Sequence, residues 1–346
     1  MKKSKITALF ILLFFSAIIA AGAFYIYQQL LPVSVSGSED SDTTSENYRL
    51  KVPSGSTVYS VSKDLKKNGI IKSDKVFYYA ARLLKKEIKA GIYKVNTKMS
   101  PLEILNLLES GKQEFITVNI PEGQTLRQIA AQLERLEVTE KDAFINTCYD
   151  KNLLAEYKIP GESFEGYLFP DTYNFVPETA AVTVLRTMVN NFFTKISGIS
   201  ELADLSPEDL FYKVRLASVI EKEYRLEEEA PLIASVFTNR LKINQGLYSC
   251  ATVVYILTDI LGRPHPDSVT IADTRIDSPY NTYLYAGLPP GAISNPGLTA
   301  LNAAAKPAKT KYRYFRLIDE EKGKHVFSVD FEDHIEAGKT IYRTKK

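Results

Sequence analysis

From Ile6 to Leu31 the chain runs without a charged residue, directly after Lys2, Lys3 and Lys5. That length matches the roughly 20 apolar residues that cross about 30 Å of hydrocarbon as a helix. It exceeds the roughly 7–15-residue apolar region of a cleaved signal peptide, although Ala20-Ala21-Gly22-Ala23 imitates a cleavage site. No polar face interrupts the run, which speaks against a buried helix of a soluble domain. With the lysines ahead of the span, residues 1–5 are expected in the cytoplasm and 6–31 in the cytoplasmic membrane, as a single pass. Everything after the span is then extracytoplasmic. Residues 32–47, carrying the Ser/Thr/acidic stretch Ser34–Asn47, show no periodicity and read as a flexible linker.

Beyond the linker the pattern repeats itself. Val52-Pro53-Ser54-Gly55-Ser56-Thr57-Val58 returns in outline as Ile120-Pro121-Glu122-Gly123-Gln124-Thr125-Leu126. In each copy an alternating strand leads into a Pro-x-Gly turn and a Thr stands at the cap position. An apolar-periodic segment follows: Val58, Val61 and Leu65 in the first, Leu126, Ile129, Ala130 and Leu133 in the second. Between the copies, Lys75–Lys86 reads as a helix and Ile88–Val95 as a strand containing Gly91. Ser100-Pro101-Leu102-Glu103 starts another helix, with Ser at the N-cap and Pro in the first turn. The expected fold is α+β, with a small unit over 48–117 and a larger mixed domain over 118–346.

Composition narrows the chemistry. Basic and acidic residues number 43 and 41, a net charge of +2, so no basic excess points to nucleic acid. Cys148 and Cys250 are too few for a disulfide scaffold, and whether they pair is open. His265 lies between two prolines, and His325 and His334 are nine apart, which is not the spacing of a helical zinc pair. Neither a metal nor another cofactor is expected. Cys250 has no neighbouring His to activate it as a nucleophile.

The most informative segment is a helix expected over 207–225. Ser206 is a good N-cap, Pro207 fits the first turn, and Glu208 and Asp209 favour the positive helix end. Leu210, Val214, Ala217 and Glu221 then share one face, so Glu221 stands in line with an apolar stripe. Partial desolvation there would raise its pKa and keep it protonated, as a general acid for glycosidic cleavage requires. Spacing alone equally allows a carboxylate that emerges at the end of the stripe and pairs with Lys222 or Arg225. Glu223, about 200° further round an ideal helix, is expected to be structural or salt-bridged rather than to share that site.

Two resemblances add to this. The strand, Gly-x-Thr turn and Ile-Ala-x-x-Leu helix are similar to the first half of a LysM-type glycan-binding module. LASVIEKEY and the following EEEAPLIASVFTNRLKINQGL resemble the YceG-like (MltG) endolytic murein transglycosylases. FEGYLFPDTY (Phe164–Tyr173), YNTYLYAGLPPGAISNPG (Tyr280–Gly297) and Ala303–Ala308 ahead of Tyr312-Arg313-Tyr314-Phe315 follow in the family's order. The resemblance implies a membrane-anchored lyase that cleaves the bond between N-acetylmuramic acid and N-acetylglucosamine in peptidoglycan glycan strands. One acid, carried over onto Glu221, would protonate the bridging oxygen and then take the proton of the muramyl C6 hydroxyl, leaving a 1,6-anhydro end.

It also makes Glu165 and Asp171 candidate substrate-side groups, with Asp171 equally a turn former. Tyr280, Asn281, Thr282 and Tyr283 become candidates to bind N-acetyl groups and sugar faces, or else a packed structural loop. Termination of nascent strands beside a peptidoglycan synthase is implied, without saying which synthase. One stretch departs from the family's Gln-Ser-Asp-Pro-Thr-Val: here it is Tyr248-Ser249-Cys250-Ala251-Thr252-Val253. That departure keeps alive a rival class, a membrane-tethered glycan-binding or scaffold protein whose enzyme half is degenerate.

Overall fold

The computed structural model describes residues 2–33, 47–319 and 321–344, and within them the chain divides into two compact units, Met1–Phe115 and Ile116–Lys346. Most of the expected linker lies outside the described residues. In the first unit, α1 (Lys2–Leu30) contains the apolar window Leu9–Leu30, with a mean hydropathy of 2.5 and no buried side chains. That is long and apolar enough to cross a membrane.

The rest of the first unit folds around one small core. Strand β1 (Tyr48–Val52) pairs antiparallel with β2 (Gly91–Val95), Leu50 opposite Tyr93. Helices α2 (Val58–Lys67), α3 (Asp74–Leu83) and α4 (Pro101–Ser110) cover the pair, burying Leu50, Leu65, Phe77, Tyr93, Ile104 and Leu108 completely. Helix α3 starts at its Ser73 cap and stops three residues short of the expected Lys86, while β2 starts only at Gly91. Thr57 and Ser100 both form capping boxes, as the side-chain spacing predicts.

The second unit begins with β3 (Ile116–Asn119), which pairs antiparallel with β4 (Thr172–Phe175). Ile116 and Thr117 belong here because their partners Phe175 and Asn174 do. Between these strands run α5 (Leu126–Arg135), capped by Thr125, α6 (Lys141–Cys148) and α7 (Lys151–Glu156). Next come α8 (Ala181–Ile196), the single turn α9 (Ser200–Ala203), α10 (Pro207–Glu221) and α11 (Ala230–Lys242). Helix α12 (Cys250–Tyr255), extended by a π-turn to Ile260, and α13 (Leu298–Ala305) precede the hairpin β5 (Tyr314–Asp319) and β6 (Lys324–Ser328). Helix α14 (Phe331–Thr344) closes the unit.

Helix α10 is the axis of this unit. Ser206 accepts from the Asp209 amide at 3.1 Å and Pro207 opens the first turn, where its missing N–H costs nothing. From Leu216 to Ile220 every residue is buried, not just one stripe, because α10 packs against both α11 and α13. The backbone of Gly166 approaches α10 so closely that a Cβ there would lie 2.6 Å from Val214 Cγ1. Only glycine fits.

Candidate active site

Helix α10 ends at Glu221, four residues earlier than expected. The amides of Lys222 and Glu223 turn back to the carbonyls of Val219 and Ile220 at 3.2 and 3.0 Å, tightening the last turn. Helical projection past Glu221 therefore loses its meaning, and the two carboxylates part company.

Glu221 turns toward the second Pro-x-Gly turn and the Gly297 loop. One carboxylate oxygen accepts from the Gly297 N–H at 2.9 Å, the other from the Tyr224 hydroxyl at 3.2 Å. Burial pushes its pKa up to about 7 against those two donors, and nearby Glu122 adds to the rise. Neither Lys222 nor Arg225 forms a salt bridge with it among the described residues. Lys222 instead donates to the Gly123 carbonyl at 3.1 Å.

Glu223 turns the other way, into a cleft of about 510 Å³. The Ser249 hydroxyl donates to one of its oxygens, and burial lifts its pKa to about 7 against that bond. Ser249 is itself held: its N–H donates to Thr282 Oγ1 at 3.2 Å, and Thr252 Oγ1 lies 3.0 Å from the same oxygen. Thr282, Ser249 and Glu223 thus form one chain of polar contacts, from a fully buried threonine to the floor of the cleft. Tyr248, at φ 50°, holds a left-handed conformation that costs a non-glycine residue of order 1–3 kcal/mol. Its ring lies 5.8 Å from that of Tyr283, whose hydroxyl is 3.0 Å from the Cys250 sulfur. Cys250 is an exposed free thiol and Cys148 a buried one, so they do not pair.

The other candidate residues fall in different places. Glu165 lines neither the Glu223 cleft nor the groove beside the Pro307–Lys311 strap. It is 5 % exposed, and its carboxylate accepts from the Leu126 N–H at 3.0 Å and from Asn295 Nδ2 at 2.8 Å. Burial raises its pKa to about 8. It closes the start of α5 from inside the core. Asp171 flanks β4, bound by the Asn191 amide at 3.0 Å and by Lys195 at 3.1 Å, and the Asn191 hydrogen bond leads in holding its carboxyl below the ordinary range. Asn281 is fully buried and ties its own loop together through the carbonyls of Thr274 and Ile276. Tyr280 stacks near Tyr255, ring centres 5.2 Å apart. Of the Tyr280–Tyr283 quartet, only Thr282 and Tyr283 reach the cleft wall, one through Ser249 and the other through Cys250 and Tyr248.

Several residues that build the site carry little signal of their own in the sequence. Asn295, inside the quoted Tyr280–Gly297 stretch, is fully buried. Its Oδ1 accepts from Gly166 and Leu168 at 2.9 Å, while its Nδ2 donates to Gln124 O and Glu165. It fastens three segments together. Arg240 bridges the cleft floor, donating to the carbonyls of Arg313 and Leu247. A second groove, about 580 Å³ between α11 and the Pro307–Lys311 strap, is lined by lysines and hydroxyls, with no carboxylate among the residues that line it. It holds no acid that could protonate a leaving oxygen.

The YceG-like family profile matches residues 50–340. An endolytic murein transglycosylase of Bacillus subtilis (strain 168) is 32% identical, aligned over 95% of this chain and 92% of its own. One from Streptococcus pneumoniae serotype 2 (strain D39) is 31% identical over 93% of this chain and 63% of its own length. The crystal structure of a yceG-like protein from Listeria monocytogenes, 30% identical, matches with a TM-score of 0.57 over 85% of this chain and 99% of that one.

Proposed function

The chain belongs to the YceG-like family, and from that premise we propose that it is a lytic transglycosylase cutting peptidoglycan glycan strands in the Glu223 cleft. The observation that carries the proposal is a cleft with tyrosine walls in which Glu223, its pKa raised to about 7, is the sole carboxylate among the described lining residues. A group with that pKa is about half protonated at neutral pH and can both give and take a proton there. It first protonates the oxygen bridging N-acetylmuramic acid to N-acetylglucosamine. As a carboxylate it then accepts the proton of the muramyl C6 hydroxyl while that oxygen bonds to C1. The glycosidic bond breaks, an internal ether forms, and no water is consumed. Two-carboxylate hydrolysis needs a partner group some 5–10 Å away, and the described cleft lining offers none.

Membrane anchoring through α1, with the second unit outside the cytoplasm, completes the proposal. So does a LysM-like glycan-holding role for residues 48–117. Glu221 supplies a second reading of the acid, favoured by its own pKa of about 7 and half-buried setting. Both of its oxygens, however, already accept hydrogen bonds, one from the Gly297 loop and one from Tyr224 just past the end of α10. The Cys250-Ala251 departure sits at the cleft and favours the scaffold alternative only if cleavage fails.

The test is mass analysis of products from purified glycan strands in water enriched with heavy oxygen. Unlabelled 1,6-anhydromuramyl ends are expected. Labelled reducing ends would make the protein a hydrolase, and intact strands would leave the scaffold reading.

A further inference from the structure

The Glu223 cleft has an opposite wall that the proton-transfer step does not use. Tyr314 opens β5, and Phe331 and His334 stand one turn apart at the start of α14. The three rings form a single patch. Tyr314 lies 5.7 Å from Phe331 and 5.5 Å from His334, and Phe331 stacks on His334 at 6.0 Å and 26°. All three line the same cleft as Glu223. Phe331 is 57% exposed, although a ring at the root of a helix next to a hairpin has ample apolar surface on which to hide.

His334 packs its ring against those of Tyr314 and Phe331. Its Nδ1 has no hydrogen-bond partner among the described residues, so the imidazole can turn toward an incoming hydroxyl or acetamide. Burial, with Arg316 and Arg240 nearby, holds its pKa below the ordinary value, which keeps the ring neutral. Between the walls lies the Arg240 guanidinium, 5.7 Å from the Tyr248 ring centre and 5.3 Å from that of Tyr314. Its hydrogen bonds to two backbone carbonyls fix it as a divider between two aromatic surfaces.

An aromatic face, a turnable hydrogen-bonding ring and a neutral setting together suit the C–H face and the hydroxyl edge of a pyranose. They suit an anion less well, since Arg240, the one cation among the described lining residues, spends two of its N–H groups on backbone carbonyls. We infer that Tyr314, Phe331 and His334 form a second sugar subsite, across Arg240 from Glu223, that grips the glycan strand to one side of the bond being cut. The inference rests on reading the Glu223 cleft as the glycan-cleaving site. A strand cut in its middle must be held on both sides of the scissile bond, and the α14 wall supplies the grip away from the acid.

The experiment measures binding of peptide-free glycan strands, on ice, to the full chain carrying Glu223→Gln, with thermal unfolding of each variant as a control. Adding Phe331→Ala should weaken binding about tenfold, the loss of one stacked ring. Phe331→Tyr should restore it, and Phe331→Leu, which keeps apolar bulk without a plane, should not. His334→Ala should weaken binding several-fold. In the active enzyme, Phe331→Ala should raise KM for long strands while kcat stays within about twofold. Binding unchanged in both Phe331→Ala and His334→Ala would overturn the subsite. Continued cleavage by Glu223→Gln would instead remove the acid assignment, a separate outcome read from products and not from affinity.

Discussion

Glu221 and Glu223 stand two residues apart, and burial raises both to a pKa of about 7. Their surroundings are opposite. Around Glu221 the neighbours are hydrogen-bonded: the Gly297 amide and the Tyr224 hydroxyl each donate to one of its oxygens, and the adjoining Lys222 is tied to the Gly123 carbonyl. Around Glu223 the protein opens into a cleft, and one hydroxyl from Ser249 steadies the carboxylate. At both residues the raised pKa reports mainly desolvation, with Glu122 adding to it at Glu221, and does not by itself mark a catalytic group. What distinguishes a working acid from a structural one is room for a substrate beside it.

The sharpest way to break this contrast is to neutralise each carboxylate in turn. Glu223→Gln should lower turnover of glycan strands by about 10²–10⁴-fold, the usual contribution of a general acid–base group. Glu221→Gln keeps an acceptor for the Gly297 N–H and should stay within about tenfold of the parent. Kinetics on purified strands decides between them, and the reverse ranking would move the acid to Glu221.

A smaller effect tests how Glu223 is tuned. Activity should fall as pH rises through about 7, where the acid loses its proton, with no rising limb from a second carboxylate below it. The Ser249 hydroxyl favours the charged form, so Ser249→Ala should move that falling limb to higher pH and reduce turnover several-fold. A pH–rate profile whose falling limb is unmoved in the variant would detach Ser249 from the acid.

The smallest effect is on stability. A carboxyl group raised in the folded state binds its proton more tightly there than in the unfolded chain, where it titrates near 4.3. Its contribution is therefore most favourable below the unfolded pKa and is lost as pH climbs through the folded value. For Glu221 and Glu223 that window runs from roughly pH 4.5 to 7. Denaturant unfolding at several pH values should show each Gln variant losing less stability than the parent across the window. Parallel curves would mean that the two groups titrate normally.

Much of the local structure was legible in residue order. The two Pro-x-Gly turns both place their glycine at positive φ, 80° at Gly55 and 75° at Gly123, and in both a threonine closes a capping box. Their contexts diverge. A Cβ on Gly55 would meet open space, whereas one on Gly123 would touch Glu221 Cγ at 3.5 Å. The repeat announces a turn and a helix, but says nothing of what will stand against them. Likewise Glu165 was marked as a site residue from its motif, yet its carboxylate serves the interior, bonded to Leu126 and Asn295.

Caps, turns, the apolar α1 and the apolar stripe of α10 follow from the sequence alone, because each depends on residues within about one or two turns of one another. The direction of Glu223 did not follow. It depends on α10 ending at Glu221, which helical periodicity cannot register while the residues beyond still suit a helix. The cleft is a product of the tertiary structure too: Arg240, Ser249, Tyr314 and His334 come from four separate segments, and only the packing of α11, α12, β5 and α14 around the end of α10 sets them around one carboxylate.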